Sequence, residues 1–136
     1  MTQNEKDLLL KDLCARLPYG VMAKFGDSNP SKITNITQCI DSDSNSWFIE
    51  SEGESDGMMC EIDNVKPYLF PISSMTEEQK EEFNLYIASV PYYGDNMHIH
   101  FYSVESLIEF YNKHHLDWRG LIPMGLAIDA TGKNIY

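Results

Sequence analysis

The sequence predicts an α+β fold: an N-terminal helix, a small bent antiparallel sheet or SH3-like barrel, then two helices and an irregular apolar C-terminal tail. Three observations carry that expectation. Apolar residues keep helical spacing up to Pro18, switch to a period of two between Tyr19 and Ile72, and return to helical spacing in the second half. Five short strands at close turn spacing favour a barrel or a strongly bent sheet. The 136 residues, 43% apolar and 12% aromatic, are enough to close one core, and no repeat, low-complexity run or flexible linker divides them. Residues 1–136 are therefore expected to form a single compact domain, with a helix-plus-sheet sub-region at 1–73 and a mostly helical one at 74–136.

In the first helix Leu10, Leu13, Cys14 and Leu17 fall at i, i+3, i+4 and i+7, a stripe expected to face the core. Asp7, Lys11 and Asp12 are assigned to the outer face, and Pro18 ends the helix because the residue before a proline is pushed out of the α region. Val21, Ala23 and Phe25 alternate as a first strand between Gly20 and Gly26, and Gly26–Ser31 (GDSNPS) is a turn by composition. Ile36, Gln38 and Ile40 form one face of a second strand, and the hairpin loop Asp41–Ser46 leads to a third at Trp47–Ile49. Met58–Ile62 and Tyr68–Phe70 follow, separated by one tight turn at Asp63–Lys66. Pro67 and Pro71 are expected to confine the last strand to an edge or to interrupt it.

Thr76, with Gln79 three residues on, makes a capping box for a helix whose stripe is Phe83, Tyr86, Ile87 and Val90, ending at Pro91. Met97–Tyr102 (MHIHFY) alternates as a short strand. Ser103 then caps a helix with the stripe Val104, Leu107, Ile108 and Tyr111 and with Lys113, His114 and His115 at its C-terminal end. Gly120, Pro123 and Gly125 interrupt the tail, whose Leu121, Ile122, Met124, Leu126 and Ile128 would make an exposed apolar patch unless docked on the body.

Charge excludes several function classes. Ten basic and 21 acidic residues give a net charge of −11 and a pI near 4.6, so phosphate backbones and anionic lipid are repelled. Between Asp41 and Glu82 twelve acids face only Lys66 and Lys80, which places ten of the eleven surplus charges in 42 residues. Such a block is a solvated face or, alternatively, an acidic mimic of nucleic-acid charge that occupies a basic partner. No apolar run approaches the ~20 residues that cross a bilayer. MTQNEKD has neither the basic nor the apolar stretch of a secretory signal, and Cys14, Cys39 and Cys60 suit free thiols in a reducing cytoplasm.

Chemistry is weakly signalled. Asp41, Asp43, Asn45 and Glu52 match positions 1, 3, 5 and 12 of a calcium loop, but Ser46 replaces its glycine and strands replace its flanking helices. His98 and His100 would share one face of a strand and reach a common metal, although a third ligand is missing. This pair with nearby acids supports only an alternative reading as a metal-assisted hydrolytic enzyme. No phosphate-cradling loop or GxSxG is present, the cysteines fall in apolar stripes or strands, and no cofactor is expected. Trp118 and Arg119 are the leading candidates for contact with another protein, since both types are enriched in interface hot spots. Tyr92 and Tyr93 form a second aromatic patch on a loop. The alternative role for Trp118 and Arg119 is internal: the ring packs the last helix onto the body and the guanidinium pairs with an acid.

The segments LCARLPYGV (Leu13–Val21), VKPYLFPISSMTEEQ (Val65–Gln79) and DWRGLIPMGLAIDA (Asp117–Ala130) resemble a group of short proteins common in gut-bacterial genomes, their phages and mobile elements. That group carries no assigned activity. The resemblance implies a cytoplasmic accessory protein and transfers no active-site residue.

Overall fold

The computed structural model describes residues 1–41, 44–53, 59–88 and 97–136. Helix α1 (Gln3–Arg16) opens on a capping box in which Thr2 and Glu5 satisfy each other's backbone N–H groups. A single 3₁₀ turn at Leu17–Tyr19 carries Pro18, and Gly20 closes it at φ +71, a left-handed conformation that glycine tolerates. Strands β1 (Met22–Phe25), β2 (Ser31–Asp41), β3 (Ser44–Ser51), β4 (Met59–Glu61) and β5 (Val65–Leu69) follow, then helices α2 (Glu77–Ala88) and α3 (Met97–Lys113) and the short strand β6 (Ile128–Asp129).

The fold is α+β. Its sheet is open and mixed, in the order β4-β3-β2-β1-β5-β6, with β5 and β6 parallel and the other pairs antiparallel. An SH3-like barrel is thus excluded, because β4 and β6 end the sheet as two separate edges. β5 is not an edge strand either: it lies between β1 and β6 with Pro67 opposite Ala23. β6 pairs only with Tyr68 and Leu69, which leaves the outer side of β5 at Pro67 without a neighbouring strand among the described residues. A proline is tolerated where a strand's outer side is unpaired.

The core joins both ends of the chain. Leu9 and Leu13 of α1 pack with Val21, Ala23, Phe25, Ile33, Ile49, Val65 and Leu69 of the sheet region and with Leu121, Leu126 and Ala127 of the tail. The tail is therefore docked, and Met124 is its exposed member. Two expectations are corrected. The buried positions of α1 are Leu9, Asp12, Leu13 and Arg16, the predicted spacing displaced by one residue, and Cys14 is exposed. MHIHFY is helix, not strand, so Ser103 lies inside α3 and not at its start. A short apolar alternation does not distinguish the two states, and here the segment continues the helical stripe that follows it.

Candidate functional site

Trp118 and Arg119 stand where α1, the end of α3 and the tail meet. The carboxylate of Asp12 and the guanidinium of Arg16, both fully buried, form a two-pronged pair: Nε donates to Oδ2 at 2.7 Å and Nη2 to Oδ1 at 3.1 Å. Arg16 also donates to the carbonyls of Leu116 at 2.8 Å and Tyr111 at 3.3 Å, tying α1 to the C-terminal end of α3. Arg119 adds a second cation, its Nε 3.3 Å from Asp12 Oδ1, while its guanidinium carbon lies 4.0 Å from the centre of the Trp118 ring. Trp118 stacks on Tyr111 and donates its indole N–H to Asn112 Oδ1 at 3.0 Å. Asp117 accepts the backbone N–H groups of Leu121 and Ile122 at 2.7 and 2.9 Å, which fixes the turn into the tail. Both candidate residues thus have internal partners. Tyr92 and Tyr93 lie outside the described residues.

Asp12 and Arg16 are the residues that sequence reasoning missed. Their i, i+4 spacing around Leu13 was the available signal, since an acid and an arginine one turn apart can neutralise each other under a core.

Beside this cluster, His115 occupies φ +53 and is buried with its Nδ1 unpartnered. Its ring stacks on Tyr136 at 4.0 Å, and Tyr136 clamps the tail by donating to the Tyr68 carbonyl at 2.6 Å and accepting from Met22 N–H at 3.2 Å. Burial, then the nearby Arg16 charge, pushes the His115 pKa down to about 4. His114 instead faces α2, its Nε2 2.8 Å from Glu82 Oε2, and Lys113 donates to the same carboxylate at 3.2 Å. Desolvation raises the Glu82 pKa, but the hydrogen bonds from His114 and Lys113 outweigh it and hold the carboxyl below its ordinary value.

The metal readings find no geometric support. Helical backbone at His98 and His100 removes the two-residue periodicity on which a shared face depended. The described residues contain no group of three or more His, Cys, Asp or Glu arranged to hold an ion. Asp41 and Asn45 belong to a β-hairpin, with Asp43 outside the described residues. Of the cysteines, Cys14 and Cys39 are exposed, while Cys60 is partly buried and packs against the core.

The β2–β3 hairpin extends past its neighbouring strands among the described residues. Among the described residues β1 reaches β2 only at Ser31 and Lys32, and β4 covers β3 only from Phe48 to Glu50, so there Gln38–Asp41 and Ser44–Trp47 pair with each other alone. On one face the cross-strand pairs Ile36–Ile49 and Gln38–Trp47 lead on to Ile40. Ile49 is buried, Ile36 and Trp47 pack partly on the core, and Ile40 is 75% exposed. The stripe that begins in the core runs off its edge.

No family model matches the chain, and neither a curated protein nor a solved structure is detectably similar to it. Among the described residues no helix is long and apolar enough to cross a membrane.

Proposed function

We propose that the chain is a cytoplasmic protein-binding accessory module, of the kind carried by bacteria, their phages and mobile elements, that holds another protein by its β2–β3 arm. The observation that supports this reading is the arm itself: a two-stranded ribbon, marginal in water on its own, that carries Ile40 to 75% exposure beyond the core. The arm enters the block in which twelve acids face two lysines, so the matching partner surface is basic around an apolar contact. Acidic surroundings steer such a partner in, and the exposed isoleucine with the ribbon's unpaired edges provides short-range contact.

Site-specific photo-crosslinking at position 40 in the native host, followed by reconstitution with the captured protein, tests the reading. The expected partner loses affinity with rising salt and about tenfold or more with I40E, while the variant keeps its melting temperature. Equal binding by I40E, or equal capture from a crosslinker at Thr131, overturns it.

A further inference from the structure

Lys24 of β1 and Lys66 of β5 are direct cross-strand partners. Opposed residues of an antiparallel pair rise from the same face with Cβ atoms about 5 Å apart, and like charges there repel. The neighbours Ala23, Phe25 and Val65 point into the core, so the two ammonium groups stand together on the outer face of the sheet. In a chain with 21 acids and ten bases, such a pairing runs against composition.

Internal neutralisation is thin. The carboxylate nearest Lys24 is Asp27 at 4.0 Å, a fully exposed side chain. Among the described residues no carboxylate lies within ion-pair reach of Lys66. Asp63, on the same rim, is engaged by Lys6 and, at 3.7 Å, by the Met1 amino group. Lys24, Lys66 and the carboxylates of Asp27 and Asp63 line a cleft of about 420 Å³ together with Gly26 and Asn64. The Gly26 N–H bonds the Asn64 carbonyl at 2.8 Å and fixes one wall. Volumes of this order hold small ligands.

We propose that this cleft binds a small dianionic oxyanion, a phosphate group or a compact dicarboxylate, between Lys24 and Lys66. Lys66 has no ion-pair partner among the described residues and Lys24 has only the exposed Asp27, so a doubly charged ligand between them adds the counter-charge that this pairing leaves short. The surrounding acidic surface selects against a long polyanion, which would be repelled along its length beyond the two lysines. Asp27 and Asp63, which line the cleft itself, add to that selection.

The test uses the full chain with isotope-labelled lysine side chains, titrated separately with inorganic phosphate and with succinate at constant ionic strength. Saturable NMR shifts at Lys24 and Lys66, without matching shifts at Lys11 and Lys133, are expected with at least one of the two, and the arm that saturates identifies the ligand class. The same ligand should raise the melting temperature of the unmodified chain, since binding only the native state stabilises it. K66Q and K24Q should each weaken binding about tenfold or more, with the ligand-free melting temperature unchanged or raised by relief of the repulsion. Shifts that fail to saturate with either anion, shifts spread equally over all lysines, or unchanged affinity in both variants would overturn the site.

Discussion

Asp12 shows how one residue changes the reading of a helix. As a charged side chain it belongs on the outer face, and the stripe then falls on Leu10, Leu13, Cys14 and Leu17. Once Arg16 and Arg119 are seen to neutralise it, the buried stripe moves one residue back, to Leu9, Asp12, Leu13 and Arg16. Arg16 lies one turn away and was within reach of local spacing, whereas Arg119, the second cation, is distant in the chain and was not. Removing one side of a buried ion pair leaves the other charge uncompensated, at a cost of about 3–5 kcal/mol. D12A should therefore lower stability in urea unfolding by about that amount, whereas K80A, which breaks an exposed pair with Glu77, should change it by less than about 1 kcal/mol. His115 gives a second residue-scale prediction. Its folded pKa of about 4 lies below the ordinary 6.5, so the unfolded chain takes up the proton first and stability is lost as pH falls from about 6.5 towards 4. The shift corresponds to roughly 3 kcal/mol. Unfolding of the unmodified chain and of H115N at pH 7 and pH 4 should show the difference between them fall by that order, with asparagine accepting the left-handed backbone.

At the scale of elements, legibility followed local signals. The Thr76–Gln79 capping box is present in both directions, with hydrogen bonds of 3.0 and 3.2 Å, because capping is decided within four residues. The periods of two found β1 to β5, although the second and third strands extend well past the residues that announced them. Sheet closure was not legible, since whether β4 meets β6 depends on twist and on the tail, and neither is written in the strands. The internal partners of Trp118 and Arg119 depend on the path of α1, which brings Asp12 to Arg119 and is not written in the local sequence. The tail itself argues from burial. Leu121 and Ala130 are about fully buried, Leu126 nearly so, and Ala130 N–H bonds the Leu69 carbonyl at 2.8 Å as the tail runs beside β5. Truncating a buried leucine costs about 2–5 kcal/mol, so L121A should lower the midpoint of urea unfolding clearly. Deleting residues 120–136 removes several such side chains and the Tyr136 clamp at once. That loss matches the whole stability of a domain, and the truncated chain should show no cooperative thermal transition by circular dichroism.

For the whole molecule, charge and core act on different length scales. Ten of eleven surplus negative charges occupy residues 41–82, which supply the arm, β4, β5 and the start of α2. Among the described acids Glu52, Glu61, Glu77, Glu78 and Glu81 stand in water, where repulsion is screened over about 10 Å at 0.1 M salt. The Asp12–Arg16 pair is fully buried and largely beyond the reach of screening. Added salt should therefore relieve the self-repulsion of the acidic block without weakening the clamp that joins α1 to the tail. Surface ion pairs such as Lys32–Glu52 at 3.8 Å and Lys24–Asp27 at 4.0 Å would be weakened too, but exposed pairs contribute little. The net effect of raising NaCl from 10 mM to 0.5 M is expected to be stabilising by about 1 kcal/mol, or roughly 2–6 °C in melting temperature. Scanning calorimetry at the two salt concentrations measures it. A melting temperature that falls with salt would mean that the exposed pairs outweigh the repulsion. The acidic block would then be held together by its few cations, with no surplus charge left to steer a basic partner towards the arm.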